Sequence, residues 1–285
     1  MNKNIYQIVT DRIIEELEKG NIPWERPWTG VRSGAYNRIS KKPYSIINQL
    51  MLQHTGEYAT FKQWSECGGH IKKGSESEMV VFWKIYQKEE KSKNGEVVKK
   101  AIPILRYIPV FHISQVEGVE PLKAEELHQT EPIEEAERIM ADYIQREGIK
   151  LEKEKSNEAY YSPSLDKVHL PLIEQFPEVA EAYSTYFHEL THSTGHSSRL
   201  NRFAGGSGSA AFGTETYSKE ELVAEIGAAT ILNMLGIETK HSFRNSAAYI
   251  QNWLQVLKND NKFIVSAASR ADKAVNYIMG QEVIS

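Results

Sequence analysis

The sequence contains little cysteine and no long apolar run, and these two absences exclude several classes of protein. With a single cysteine, Cys67, the 285-residue chain can form neither an internal disulfide framework nor a cysteine-based zinc site. No apolar run approaches 18 residues, so we expect no membrane partner and no spanning helix. The first residues also lack the apolar block of a signal peptide. We therefore expect a cytoplasmic location, with the lone thiol as weak support.

The composition is that of a globular protein with an uneven distribution of charge. Hydrophobic residues make up 40% of the chain and charged residues 25%, and the length suits one large domain or two of ordinary size. Residues 1–113 hold 18 Lys/Arg and 12 Asp/Glu, a net charge of +6, whereas residues 114–285 hold 16 and 26, a net charge of −10. This asymmetry favours a basic binding module joined to an acidic one over chance variation between two solvated surfaces.

Periodicity separates the chain into two parts of different secondary structure. In the first part, apolar residues at helical spacing predict a helix over 2–19, and β-branched and aromatic residues predict strands over 79–86 and 102–113. The second part is mainly helical, with helices predicted at about 133–147, 177–195, 218–235, 244–258 and 263–279. We expect an α+β protein with two domains: a small basic α+β domain over 1–113, an acidic linker over 114–131, and a mainly helical domain over 132–285.

The sharpest motif is a pair of histidines four residues apart, His188 and His192, with Glu189 between them. On a helix, positions i and i+4 share one face, so the two imidazoles can bind one zinc ion. The intervening Glu189 can then act as the general base on a metal-bound water. An apolar stripe on the same predicted helix would pack against a hydrophobic core. The alternative is two surface histidines on an ordinary amphipathic helix.

A catalytic zinc needs a third protein ligand, for which the sequence offers two sources. His196 lies near the motif, but it departs from the metzincin pattern, in which the third histidine comes six residues after the second. The predicted helix from Ser218 carries Glu221 and Glu225 on one face. This arrangement resembles that of gluzincins, which implies Glu221 as the third ligand and Glu225 as the residue that orients a ligating histidine. Glu225 remains the alternative ligand.

Three tyrosines are candidates to stabilise the transition state, because this chemistry also needs a hydrogen-bond donor to the developing oxyanion. Tyr217 lies just before the predicted ligand helix, and Tyr160 and Tyr161 lie on a candidate strand. The alternative for each is a packed aromatic residue. His169, on the next strand, is expected to be structural.

The basic N-terminal part alternates cations with aromatic residues. This combination suits single-stranded nucleic acid, because cations can follow the phosphates while aromatic rings stack on unpaired bases. The alternative is a small domain whose aromatic residues form its core. The candidate DNA-binding residues are Trp24, Trp28, Arg38, Lys41, Lys42, Tyr44, Lys62, Trp64, Lys72 and Lys73.

The order of short motifs along the chain resembles that of ArdC-type antirestriction proteins. The N-terminal motifs are Ile22-Pro23-Trp24, Pro27-Trp28, Pro43-Tyr44, Thr60-Phe61-Lys62-Gln63-Trp64, Gly68 to Gly74 and Val80-Val81-Phe82-Trp83. The C-terminal motifs are Ala159 to Pro163, Val168 to Pro171, His188 to His196, Arg199 to Arg202 and Tyr217 to Ala229. Together they cover nearly the whole chain.

The resemblance implies an N-terminal single-stranded DNA-binding domain and a C-terminal zincin-like metallopeptidase domain. It implies one Zn²⁺ per chain, and Mn²⁺ or another divalent metal would also suit the ligands. The implied function is to protect the incoming DNA of a mobile element from host restriction, with a host restriction enzyme or another DNA-bound protein as a candidate substrate. A DNA-tethered protease and a non-enzymatic DNA-binding protein with a structural metal site are the alternatives.

Overall fold

The computed structural model describes residues 4–25, 34–91, 97–122, 132–203, 215–237 and 247–281. Its N-terminal part combines three helices with six strands. In chain order these are α1 (Ile5–Glu18), β1 (Ala35–Asn37), α2 (Ile46–Met51), β2 (Gly56–Ala59), α3 (Phe61–Glu66), β3 (His70–Ile71), β4 (Glu78–Lys91), β5 (Val97–His112) and β6 (Val116–Glu117).

A four-stranded sheet in the order β1-β2-β5-β4 organises this part of the chain. Strands β4 and β5 form a long antiparallel hairpin whose register runs from Glu78 opposite Val110 to Lys91 opposite Val97. Near its base the hairpin contributes buried side chains to the core, among them Val81 and Leu105. Its outer part extends beyond that core. The strands predicted at 79–86 and 102–113 are therefore present, and both are longer than expected.

The C-terminal part combines five helices with a three-stranded sheet in the order β7-β9-β8. Its elements are α4 (Pro132–Glu147), β7 (Lys150–Glu154), β8 (Tyr160–Ser162), β9 (Lys167–Pro171), α5 (Val179–Ser193), α6 (Glu215–Leu235), α7 (Ala247–Asn259) and α8 (Phe263–Ile278). The sheet and helix α4 pack beside α5, while α6 lies between α5 and α8. The predicted α+β class is confirmed. None of the described helices is both long and apolar enough to cross a membrane.

One hydrophobic core runs through both parts of the chain. Helix α1 buries Val9 and Ile13 in the same cluster that holds residues of α6, α7 and α8. Its buried Thr10 donates a hydrogen bond to the backbone carbonyl of Asn261, 2.8 Å away, just before α8. The N-terminal helix therefore packs against the helices that end the described chain.

A cavity of about 690 Å³ lies between α2 and the helices α6 and α8. Asp272 of α8 lines it and accepts a hydrogen bond from the backbone N–H of Ile46, at 3.1 and 3.2 Å from its two oxygens. Ile46 is the first residue of α2. The N–H groups in the first turn of a helix have no intrahelical partner. A carboxylate from the C-terminal part thus caps a helix of the N-terminal part.

Several predicted boundaries differ from the structure. Helix α5 ends at Ser193, two residues before the predicted stop at Gly195. Helix α6 begins at Glu215, so Ser218, where the predicted helix starts, lies inside its first turns and is buried. The acidic segment predicted as a linker begins with structure, because β6 pairs with β3. The β3–β6 pairing is a long-range contact that local sequence signals do not encode, whereas helix ends commonly differ by one or two residues.

Candidate metal centre

Helices α5 and α6 contact each other at a glycine of α6, Gly227. A Cβ added to Gly227 would lie 2.8 Å from Cγ2 and 2.9 Å from Oγ1 of Thr191, closer than real Cβ contacts. Thr191 cannot easily move, since it is buried, β-branched and donates a hydrogen bond to the Phe187 carbonyl at 2.7 Å. Glycine at this position therefore allows the acidic side chains of α6 to reach the histidines of α5.

Three side chains converge where the two helices meet. His188 Nε2 and His192 Nε2 lie 3.0 Å apart, as expected for residues one helical turn apart. Glu221 places Oε2 3.5 Å from His188 Nε2 and Oε1 3.2 Å from His192 Nε2. The site therefore brings together two imidazoles and one carboxylate, the predicted ligand set.

The spacing of these atoms fits a small divalent cation. Ligand atoms about 2.0–2.1 Å from a tetrahedral metal lie about 3.4 Å from one another. The observed separations of 3.0, 3.2 and 3.5 Å bracket that value. Two imidazole nitrogens and a carboxylate oxygen form a donor set that zinc accepts readily. The residues present therefore fit a metal ion.

Two further carboxylates lie behind the histidines, one for each ring. Glu225 Oε1 is 3.4 Å from Nδ1 of His188, and Glu220 Oε1 is 3.6 Å from Nδ1 of His192. A carboxylate on the far ring nitrogen fixes the orientation and tautomer of a metal-binding histidine. Glu225 thus occupies the orienting position that the resemblance to gluzincins implies. Glu220 has the equivalent place for His192 and was not predicted.

Glu220 is itself held by a buried arginine. The Arg202 guanidinium donates to Glu220 at 2.6 and 3.3 Å, to the Thr191 carbonyl at 2.8 Å and to Thr194 Oγ1 at 2.5 Å. It therefore fastens the end of α5 to α6 next to His192. The only sequence signal for this pair was the presence of Arg202 in a family motif, because its partner is 18 residues away in the chain.

The acidic surroundings shift the pKa values of the site. Burial disfavours the charged form of His192, but Glu220 and Glu221 outweigh burial and raise its pKa to about 10. Burial also disfavours ionised Glu221, yet the two histidines bring the pKa of its carboxyl well below the ordinary value. The carboxylates around the two imidazoles thus stabilise positive charge on His192.

Glu189 lies in α5 between the two histidines and is buried. His196 does not join the cluster: its Nδ1 is 2.7 Å from Ser198 Oγ, beyond the end of α5. Tyr217 falls within the first turns of α6, but its side chain lies outside the described residues. The proposed role of Tyr217 therefore stays a prediction.

The other two candidate tyrosines have structural partners. Tyr161 donates a hydrogen bond to Asp166 at 2.8 Å and accepts one from Arg199 at 3.1 Å. Tyr160 stacks on His169 with ring centroids 4.9 Å apart, and His169 Nδ1 lies 3.1 Å from Glu152. These contacts agree with the alternative of packed aromatic residues and with the expected structural role of His169.

Several predicted DNA-binding residues are not available to DNA. Trp24 is 3% exposed and packs edge-to-face on Trp253, and Trp64 is fully buried. Arg38 is largely buried, because it pairs with the buried carboxylate of Glu57. Tyr44 is half-buried against a small core cluster. The prediction that the two tryptophans stack on bases is wrong for this reason: their rings serve the core.

The remaining candidates are exposed lysines and one residue outside the described ranges. Lys62 is exposed and lies 3.7 Å from Glu66, while Lys72 donates to the Ser114 carbonyl at 2.8 Å. The other exposed lysines among the candidates are Lys41, Lys42 and Lys73. Trp28 lies in residues 26–33, which the structure does not describe.

Comparison with known proteins identifies the family. The model of the N-terminal domain of anti-restriction factor ArdC matches residues 3–111, and a zincin-like metallopeptidase model matches residues 134–270. The metal-free crystal structure of the antirestriction protein ArdC from plasmid R388 is 31% identical, with a TM-score of 0.77 over 99% of this chain and 100% of that one. The chain belongs to the ArdC antirestriction family. The predicted resemblance and the two-domain α+β organisation are thereby confirmed.

Other relatives of this ArdC-family chain differ in length. The Mn(II)-bound structure of the R388 protein is 33% identical over 98% of both chains, again with a TM-score of 0.77. The protein y4eC of Sinorhizobium fredii is 30% identical over 98% of this chain and 92% of its own. Two proteins named DNA primase TraC from Escherichia coli are 32% and 31% identical, but this chain spans only 28% and 20% of their lengths.

Proposed function

We propose that this ArdC-family chain binds single-stranded DNA and carries a zinc-dependent peptidase site that acts on proteins bound to that DNA, protecting incoming DNA from host restriction. The observation that carries the peptidase proposal is the convergence of His188, His192 and Glu221 within 3.5 Å of one another, beside buried Glu189. Mn²⁺ is the alternative metal, since the R388 relative was crystallised with Mn(II).

In the proposed mechanism the protein supplies ligands, orientation and a base. His188, His192 and Glu221 would hold the ion, and Glu225 and Glu220 would orient the two rings. A bound divalent metal polarises a carbonyl group and lowers the pKa of water. Glu189 accepts the proton of the attacking water and later donates it to the leaving amine. A purely structural metal site would not need this buried carboxylate, which favours an enzyme over a non-enzymatic DNA-binding protein.

The test of the peptidase proposal is the substitution Glu189→Gln, which keeps the shape and removes the base. Cleavage of fluorescent casein, with and without an added 20-nucleotide oligo-dT, is expected to fall at least ~10²-fold. Metal content by mass spectrometry should equal that of the unmodified chain. The matched control is Glu158→Gln, the same change at an exposed carboxylate. Unchanged cleavage by the Glu189 variant would refute the mechanism.

The DNA-binding proposal has an independent test on the full chain. Fluorescence anisotropy should show tighter binding to oligo-dT than to a duplex of equal length, with affinity falling as salt rises. The names of the primase relatives and the ArdC match to residues 3–111 support this expectation. Equal affinity for both forms of DNA, or no dependence on salt, would contradict it.

A further inference from the structure

The middle of the long hairpin carries exposed aromatic side chains beside the exposed cations Lys84 and Arg106. We call the segments Phe82–Tyr86 and Ile102–Arg106 the β-arm. Within or beside it, large apolar residues are 37–66% exposed, namely Phe82, Trp83, Ile85, Ile104, Tyr107 and Ile108. Ordinary soluble surfaces rarely cluster so many large apolar side chains, and such clusters indicate interaction sites.

The strand register sorts these side chains onto two faces. Phe82 lies opposite Arg106, Lys84 opposite Ile104, and Tyr86 opposite Ile102, so these six residues share one face. We call it the cationic face. The intervening residues, including Trp83, point to the other face, where the Trp83 ring lies 6.2 Å from that of Tyr6 in α1.

On the cationic face, two cations flank one aromatic ring. Arg106 lies with its guanidinium carbon 5.7 Å from the centre of the Tyr86 ring and donates to the Tyr86 hydroxyl at 3.0 Å. The Lys84 ammonium lies 5.3 Å from the same ring centre. Arg106 and Lys84 lower the pKa of Tyr86. Among the described residues, Lys84 and Arg106 contact Tyr86, and no carboxylate forms an ion pair with either cation.

We propose that the cationic face of the β-arm is where the chain holds single-stranded DNA, with bases stacked on Phe82 and Tyr86 and phosphates beside Lys84 and Arg106. This inference rests on the proposed DNA-binding function and assigns it to a surface. A single strand is the occupant that fits, because interleaved rings and cations match unpaired bases and phosphates along one backbone. In a duplex the bases are already stacked on each other and leave these rings without partners.

The stacking half of the proposal is tested with Phe82→Leu plus Tyr86→Leu in the full chain. Leucine keeps apolar bulk on the strands and removes the aromatic face. Affinity for a 20-nucleotide oligo-dT should fall at least ~10-fold, whereas affinity for an abasic strand of the same length should not change. The matched control is Tyr107→Leu on the opposite face, which should bind both strands as the unmodified chain does. An equal loss on both strands would indicate a structural role and overturn the proposal.

The phosphate half is tested with Lys84→Ala plus Arg106→Ala. Loss of two phosphate contacts should reduce the slope of log affinity against log salt by about 1.4. The charge-matched control is Lys150→Ala plus Lys155→Ala, at exposed positions of the C-terminal part. Circular dichroism melts verify that every variant is folded.

The outcomes separate this inference from the function on which it rests. If the unmodified chain does not bind oligo-dT, the proposed DNA-binding function fails, and the inference fails with it. If the unmodified chain binds but both β-arm variants bind equally well, only the inference is overturned. Selective loss on Lys72→Ala plus Lys73→Ala, with the β-arm variants intact, would also overturn it and would assign DNA to the other basic segment.

Discussion

The α5–α6 helix pair and the β-arm place their functional side chains in opposite environments. In the helix pair, imidazoles and carboxylates are buried, a further carboxylate lies beside the far nitrogen of each histidine, and Arg202 holds one of these carboxylates, Glu220. On the β-arm, cations and rings are exposed, and Lys84 and Arg106 contact only Tyr86 among the partners described. The helix pair is organised before a ligand arrives, whereas the β-arm offers a surface on which a flexible ligand can settle.

The largest expected effect on the helix pair, relative to the β-arm, follows from removing both histidines. His188→Ala plus His192→Ala deletes two of three proposed ligands, so bound metal should fall below one-tenth of its normal content. Mass spectrometry of the native protein measures this directly. Because the β-arm lies on other elements, oligo-dT affinity should change less than ~2-fold. Retention of metal by the double variant would locate the ion elsewhere.

Substitution of Glu220, the carboxylate beside His192, tests whether metal binding depends on the groups that hold the ligands in place. Glu220→Gln leaves the three ligands in place but removes the charge beside Nδ1 of His192 and weakens the pairing with Arg202. Metal affinity should fall about 10–100-fold, as it does when such supporting groups are lost. Competition with a fluorescent zinc chelator gives the affinity, with Glu158→Gln as control. An unchanged affinity would mean that His192 is held in place without Glu220.

Packing at the helix contact can be tested through Gly227→Ala. The new Cβ would meet the stiff, buried Thr191 at less than 3.0 Å, so α6 must move away. We expect a loss of stability of about 2 kcal/mol, typical of overpacking, measured by urea denaturation. A second substitution, Thr191→Ser, removes the atom in closest contact and should restore part of that loss. If Gly227→Ala is as stable as the parent, the close approach of the helices does not depend on glycine.

A pH-dependent change in stability is expected at the contact between the two parts of the chain. Burial raises the pKa of Asp272 to about 6 from an ordinary 3.8, although the hydrogen bond from Ile46 favours its charged form. The folded state therefore binds this proton more tightly than the unfolded chain does. Its contribution to stability is fully present below about pH 4 and is lost as the pH rises past 6.

Asp272→Asn should remove this dependence. Relative to the variant, the parent protein should lose about 2–3 kcal/mol of stability between pH 4 and pH 7. Lys42, Lys273 and Glu135 line the same cavity, and their charges are common to both proteins. Denaturation curves at four pH values measure the difference. A constant difference across this range would show that Asp272 titrates normally.

The sequence indicates the candidate metal centre far better than the proposed DNA-binding surface, for physical reasons. Helical spacing alone aligns His188 with His192, so a local pattern suffices for that pair. The position of Glu220 depends on its contact with Arg202. The approach of α6 to α5 depends on Gly227 facing Thr191. Both contacts join residues that are far apart in the sequence. A sequence that interleaves tryptophans with cations looks the same whether those residues form a core or an exposed binding surface. Trp24 and Trp64 were therefore misassigned, and the β-arm was not singled out.

The hydrophobic core shared by α1, α6, α7 and α8 limits how this unit can be exchanged between genes. A recombination event that joined the first half of one family member to the second half of another would have to preserve the fit of Val9 and Ile13 in a foreign helix cluster. It would also have to keep an acceptor such as Asp272 beside the first amide of α2. Inheritance as one uninterrupted block avoids both constraints. The matches to the TraC proteins cover 98–99% of this chain within far longer proteins. This is the length of match expected if the two parts are inherited together.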